Sequence, residues 1–267
     1  MIENTFTILN GIGQKLERRL WREGILTWTH FLNTNPSFIS VQRKKFFDET
    51  LAFASTELHE GNAEYFASAV KRYEHWRLYD VFRDDAVCLD IETNGLPPNA
   101  GGYVTLVGIY NGNGDGNGNG NGYKCFIRGE NLTADVLNEE LSKYKYLITF
   151  FGSVFDIPFL KSSFRGLRLE IPHFDLCFGA RRIGLRGGLK KIEPYFGIQR
   201  EDDVKGMDGY DAVLLWQEVE RGCCRALDLL MKYNREDTAN LFGIANTIYK
   251  RLKVLTGIEM YLNNSAS

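Results

Sequence analysis

Two carboxylates interrupt an otherwise apolar strand pattern in VCLDIETNGL, residues 87–96. Val87, Leu89 and Ile91 alternate with Cys88, Asp90 and Glu92, so a strand here would place Asp90 and Glu92 together on one face. Such a pair repels itself and loses solvation when buried. Two further acids stand in apolar surroundings: Asp156 in FFGSVFDIPFL and Asp237 in MKYNREDTANLFGIANTIY. Four acids from three distant segments have no reason to converge unless a cation holds them. Hard divalent ions such as Mg²⁺ and Mn²⁺ prefer oxygen ligands. A pair of them can clamp the attacking and leaving oxygens of a phosphoryl displacement. Tyr233 lies four residues before Asp237, so on a helix both side chains share a face and the phenol could orient an attacking water.

The elements that must carry these residues change character along the chain. Up to about residue 82 the pattern is helical: a short helix over 14–23, a second after Thr27 as N-cap, and a longer one over roughly 38–59. Asn62 is placed to cap another from 63 to about 82. From Ala86 the texture becomes β-rich, with VCLDIE, YVTLVGIYN (103–111) and YKCFIR (123–128) as three strands of a meander. A helix at 132–143, a strand at 146–151, a helix near Asp156, a strand at 171–177 and helices from about Asp211 to Leu252 follow. That order describes a mixed α/β sheet of five strands flanked by helices, behind a small all-helical region.

Composition sets the bounds. The 267 residues are 44% hydrophobic and 25% charged, enough for a sizeable core in one or two domains. A net charge of −2 gives no general attraction to nucleic acid, so such a partner must be argued from local patches. Thirteen Tyr and eighteen Phe are compatible with stacking platforms, although core packing is the commoner use. The five cysteines (Cys88, Cys125, Cys177, Cys223, Cys224) show no C-x-x-C spacing, which speaks against a zinc site or disulfide framework and for a reducing, cytoplasmic setting. The first residues lack the basic-then-apolar pattern of a signal peptide, and no apolar run reaches the length of a membrane span, so no membrane partner is expected. The tract GNGDGNGNGNG reads as a hairpin tip between two antiparallel strands, because Asn and Gly tolerate positive φ. One Asp is too few for a calcium loop, and a phosphate-binding loop would need Gly-Lys-Ser/Thr.

LDIETNGL, GSVFDIPFL and YNREDTANL, in that order, resemble the three motifs of the DEDD exonucleases, a superfamily with the ribonuclease H-like fold. The Tyr four residues before the last Asp is similar to the tyrosine-type subgroup, which includes polymerase proofreading domains. The resemblance spans about residues 85–252. It implies a ribonuclease H-like sheet and a metal-dependent 3′→5′ exonuclease. It further implies two Mg²⁺ or Mn²⁺ ions on Asp90, Glu92, Asp156 and Asp237, with Tyr233 orienting the water. One position departs from the family pattern: Phe151 precedes Gly152 where the second motif usually has Asn. That Asn is not a metal ligand, so the departure bears on substrate positioning. His173 and Asp175 in PHFDLC are read as structural support near the site.

Contacts to nucleic acid, DNA or RNA, are expected in two places. Residues 8–32 resemble a helix-hairpin-helix motif with its hairpin at Gly11-Ile12-Gly13, whose backbone N–H groups in that family bind a phosphate. Lys15, Arg18, Arg19 and Arg22 then form one basic stripe at i, i+3, i+4 and i+7. The second place is GARRIGLRGGLKKIEPYFG, with Arg181, Arg182, Arg186, Lys190 and Lys191, where Gly187-Gly188 separates a loop from a short helix. The expected organisation is a helix-hairpin-helix-like motif at 1–34, a helical connection at 35–84, the exonuclease domain at 85–255 and a tail at 256–267. Single-stranded DNA is slightly favoured as substrate. A binding module that does not cleave, or a structure-specific endonuclease of the wider ribonuclease H-like group, are the alternatives. Retention of all four acids speaks against the first and Tyr233 against the second.

Overall fold

The computed structural model describes residues 1–112 and 122–265. The chain divides into two compact units, Met1–Asp84 with Glu170–His173 and Tyr249–Ser267, and Asp85–Leu169 with Phe174–Ile248.

In the first unit, Thr27 and Asn62 cap helices where the sequence places them. Gly13, in extended conformation, precedes α1 (Gln14–Arg22). Thr27 accepts from the His30 N–H at 3.1 Å to open α2 (Trp28–Leu32), and Ser40 opens α3 (Val41–His59). Asn62 accepts from the Tyr65 N–H at 3.1 Å to open α4. The expected helix from 63 to 82 is broken: α4 covers only Ala63–Ala69, Arg72–Leu78 is a 3₁₀ segment, and α5 is Tyr79–Phe82. No Pro or Gly causes the break. Val70 is extended, its carbonyl lies 2.9 Å from His75 Nε2, and the next turn is drawn into a buried polar network. Arg77 donates to Glu74 at 2.5 Å and to Glu17 at 3.1 Å, with all three side chains about 1% exposed. Thr5 and the Phe6 N–H also hold Glu17, while Trp76 and Gln14 hold Glu74. Around this network pack Phe6, Leu20, Trp21, Trp28, Phe31 and Phe47, all buried.

The second unit is built on a five-stranded sheet of order β3-β2-β1-β4-β5. Its strands are β1 (Ala86–Thr93), β2 (Val104–Tyr110), β3 (Tyr123–Ile127), β4 (Tyr146–Thr149) and β5 (His173–Asp175). The meander β1–β2–β3 is antiparallel, with Asp90 opposite Gly108 and Val107 opposite Phe126. β4 returns parallel to β1, pairing Val87 with Leu147. The hairpin tip expected in the Asn-Gly tract falls at 113–121, outside the described residues; its flanks are paired through Asn111 N–H to Gly122 O at 3.1 Å. Helices α6 (Ala134–Leu141), α7 (Asp156–Ser163), α8 (Leu176–Arg182), α9 (Leu189–Ile192) and α10 (Gly209–Glu220) flank the strands, followed by the long α11 (Cys224–Thr256) and α12 (Ile258–Ser265). Asp208 and Asp211 form a capping box that starts α10. β1 is buried on both faces, from Ala86, Val87, Cys88 and Leu89 through Ile91 and Glu92. A central strand covered on both sides is where two acids are least expected from solvation alone.

The Glu17–Arg77–Glu74 network makes a stability prediction. Arg77→Ala leaves two buried carboxylates without their cation and should cost about 3–5 kcal/mol in urea denaturation. Arg19→Ala, which removes an exposed pair with Glu23, should cost less than about 1 kcal/mol in the same measurement.

Candidate active site

Asp90 and Glu92 point from β1 toward α11, where Asn234 meets them. The Asn234 amide donates to Asp90 Oδ2 at 2.9 Å and to Glu92 Oε1 at 3.3 Å. Its oxygen accepts from the Tyr123 hydroxyl at 3.0 Å, which fixes the amide so that its NH₂ faces the acids. Gly108 makes this approach possible: a Cβ there would fall 1.6 Å from Asn234 Oδ1. Sequence reading missed Asn234. The available signal was its position three residues before Asp237, which puts both on one helix face.

Asp237 and Tyr233 stand on the same α11 face. One ligand oxygen from each of Asp90, Glu92 and Asp237 lies within 4.8 Å of the others. Three oxygen-only donors, two of them buried, at that spacing suit a hard divalent ion. The family-implied metal therefore fits the residues present. Lys190 donates to the Tyr233 hydroxyl and sits 4.3 Å from its ring centroid. Arg200, almost fully buried, donates to Asp237 and, at 2.7 and 2.8 Å, to Glu193. Arg200 and Glu193 carried no sequence signal, because neither lies in a motif and only the fold brings them to α11.

Asp156 comes from the N-terminal turn of α7. Its Oδ1 accepts from the Ile91 N–H at 3.1 Å, so it is bound to β1 between the two motif acids. It is 3% exposed and lies outside the 4.8 Å group. The loop that delivers it is held by Asp175, which accepts from the N–H groups of Phe151 (2.8 Å), Ser153 (3.0 Å) and Cys177 (3.1 Å) and from the Ser153 hydroxyl. This shortens β4 relative to the expected 146–151, since the chain turns at Phe151. Phe151 has φ 69°, and among the described residues it is the one non-glycine with positive φ. For a bulky side chain that conformation costs about 1–2 kcal/mol. His173 donates its N–H to His75 Nδ1 at 3.0 Å, away from the acids.

A cavity of about 760 Å³ opens over the cluster. Asp90, Glu92, Tyr233 and Asp237 line its polar part, and Leu96, Pro97, Pro98, Val154, Phe155 and Phe159 its apolar part. The carboxylates would hold a divalent cation, which a phosphodiester could then meet, and the apolar residues offer surface for a sugar or base.

Burial is the largest cause of the unusual titration here, and mutual repulsion adds to it. It holds Asp90 well above the usual carboxylate range, with Glu92, Asp156 and Asp237 adding to the effect. Glu92 is pushed up to about 8 and Asp156 to about 7. Asp237 is raised by burial, partly offset by Arg200 and Lys190. Tyr233 is raised by burial and then by Asp237, Glu92 and Asp90, so its phenol stays protonated and can position a water but not deprotonate it.

The expected nucleic-acid contacts fall into three environments. Gly11 takes φ 82°, and Lys15, Arg18, Arg19 and Arg22 are exposed on α1. The element preceding Gly11 is a single 3₁₀ turn, Ile2–Asn4. Arg19 pairs with Glu23 and lies 3.9 Å from the Phe38 ring centroid. Arg181 and Arg182 are exposed at the end of α8, and Lys191 is exposed on α9. Lys190 differs from these, since it reaches Tyr233 at the acids.

A mixed sheet of this order, with acids on its central strand and on a crossing helix, defines a ribonuclease H-like protein. The family RNase_H_2, described as RNase_H superfamily, matches residues 87–249, and the chain belongs to that superfamily. No curated protein matches the sequence. Among solved structures the chain is similar to Brucella melitensis NrnC, at 20% identity over 68% of this chain and 81% of that one, with TM-score 0.45. The same protein bound to pGG gives 21%, 68%, 80% and 0.45. A family B DNA polymerase from the hyperthermophilic archaeon Pyrobaculum calidifontis gives 14% identity over 61% of this chain and 24% of that one, with TM-score 0.46. Among the described residues no helix is long and apolar enough to cross a membrane.

A carboxyl whose folded pKa exceeds its unfolded value binds more protons when folded. Its stabilising contribution is full below the unfolded value and is lost as pH rises through the folded one. For Glu92 that window runs from 4.5 to about 8, and for Asp156 from 3.8 to about 7. In EDTA the melting temperature should therefore fall as pH rises across this window, and Mn²⁺ should restore it at the alkaline end. Glu92→Gln should flatten the fall in EDTA and weaken the Mn²⁺ response. A melting temperature in EDTA that rises with pH over this range would contradict the assignment.

Proposed function

We propose that the protein is a metal-dependent 3′→5′ exonuclease that hydrolyses phosphodiester bonds of nucleic acid, with single-stranded DNA slightly favoured. The observation that carries this reading is the convergence of Asp90, Glu92 and Asp237 with the Tyr233 phenol in one cavity. Motif order and Tyr233, as in the tyrosine-type DEDD exonucleases the sequence resembles, support the direction of cleavage. In this reading Asp90, Glu92, Asp156 and Asp237 hold two Mg²⁺ or Mn²⁺ ions. Such ions lower the pKa of a bound water and stabilise the charge on the leaving 3′ oxygen. The chain's own contributions are separate. Tyr233, kept protonated, orients the water through its hydroxyl, and Lys190 fixes that hydroxyl. Asn234 sets the carboxylates of Asp90 and Glu92, and Arg200 sets that of Asp237. Asp156, anchored on Ile91 N–H, would supply the fourth carboxylate of the set.

The first 34 residues act in this reading as a helix-hairpin-helix-like module. Gly11 and Gly13 shape the phosphate-facing backbone, and Lys15, Arg18, Arg19 and Arg22 track the nucleic-acid backbone. Residues 35–84 connect it to a catalytic domain spanning 85–255, with 256–267 as a tail. Arg181, Arg182 and Lys191 neutralise phosphates beside the cavity-bearing domain.

Digestion of 5′-labelled single strands tests the activity. A ladder that needs Mg²⁺ or Mn²⁺, vanishes in EDTA and is lost in Asp90→Ala is expected, with Tyr233→Phe lowering kcat about 100-fold or more. Activity in EDTA, or an unimpaired Asp90→Ala, would overturn the mechanism. Cleavage inside a circular strand would identify an endonuclease instead. For the N-terminal module, replacing Arg18, Arg19 and Arg22 by Ala should weaken binding and flatten its salt dependence by about one unit of slope per lost phosphate contact. An unchanged slope would leave the stripe as solvated surface.

A further inference from the structure

Phe151 is poorly explained by folding alone. It occupies a left-handed backbone conformation, φ 69°, that Asn or Gly adopts more readily, and its ring is 38% exposed. A half-exposed ring in a strained position gains little from burial, so its side chain invites a role outside the core. Its partner is Phe178 on α8, 40% exposed, with ring centroids 6.3 Å apart and planes 29° from parallel. Arg181, one turn along α8, places its guanidinium 5.2 Å from the Phe178 centroid. The turn that carries Phe151 leads into the cavity wall: the Phe151 carbonyl accepts from the N–H groups of Val154 and Phe155, and both of those residues line the cavity.

We propose that Phe151 and Phe178, with Arg181 beside them, form a stacking platform for a base of a single-stranded nucleic acid whose 3′ end occupies the carboxylate cavity. This rests on the nuclease reading and adds to it the seat of an upstream nucleotide. Two exposed rings with planes 29° from parallel offer apolar ring faces, and a neighbouring guanidinium suits the phosphate that accompanies each base. Nucleobases have such faces whatever their identity, so the contact is tolerant of sequence. A single strand fits better than a duplex, whose bases are already stacked on each other.

The test uses fluorescence anisotropy of the full chain with fluorescein-labelled single strands in Ca²⁺, with cleavage in Mg²⁺ followed in parallel. One strand is intact, and a series carries a single abasic site at successive positions from the 3′ end. Wild type should lose about tenfold in affinity at one abasic position. Phe151→Ala and Phe178→Ala should each show a similar loss on the intact strand and no further loss at that position. Phe151→Asn, which relieves the backbone strain, should melt at or above the wild-type temperature and still bind like Phe151→Ala. Losses that add fully in the variant-plus-abasic combination, or Phe variants that bind the intact strand as wild type does, would overturn the platform. Cleavage by wild type without this coupling removes the platform and leaves the nuclease. Coupling without any metal-dependent cleavage removes the nuclease and keeps the platform as a binding site.

Discussion

Repulsion among buried carboxylates is the constraint around which the second unit is arranged. Burial raises Asp90, Glu92, Asp156 and Asp237, and Asp237 adds to the cost of ionising each of the other three. Left to themselves they would hold protons near neutrality. The fold answers with donors on every side: Asn234 to Asp90 and Glu92, the Ile91 N–H to Asp156, and Arg200 to Asp237. These donors orient the acids without neutralising them fully, which keeps the cluster able to take up a divalent ion. A site with stronger internal pairing would lie lower in energy and bind metal less well.

The same requirement explains features that look local. Gly108 is small because Asn234 must reach across the sheet, and Tyr123 on the neighbouring strand exists in that register to set the amide. Asp175 spends its carboxylate on three backbone N–H groups and a hydroxyl, and so fixes the turn that carries Asp156 into place. That turn leaves Phe151 in a conformation its side chain does not favour, next to an opening lined with apolar residues.

The first unit solves a different electrostatic problem. Its Glu17–Arg77–Glu74 network pairs carboxylates with a guanidinium, and Thr5, Gln14 and Trp76 satisfy further oxygens. Buried charge there sits in the 3₁₀ segment that interrupts the helix expected over 63–82. Buried charge in the second unit is left incompletely paired. The contrast separates a structural use of ionisable groups from a chemical one.

Local pattern in the sequence was enough to place the strand bearing Asp90 and Glu92, the caps at Thr27 and Asn62, the three-stranded meander, and the helical face shared by Tyr233 and Asp237. Each of these follows from alternation, helical spacing or a capping side chain, interactions that act over a few residues. Motif order added the acid from a third segment. The helix break after Ala69 could not be read, because the 3₁₀ segment that follows it is tied through Arg77 to Glu17, 60 residues away. The same holds for Arg200 and Glu193 beside Asp237, for Lys190 on the Tyr233 hydroxyl, and for the left-handed turn at Phe151 held by Asp175. These are contacts between segments with no periodic relation to one another. Only the tertiary fold brings them within hydrogen-bonding distance, and only there does burial raise the carboxyls of all four acids.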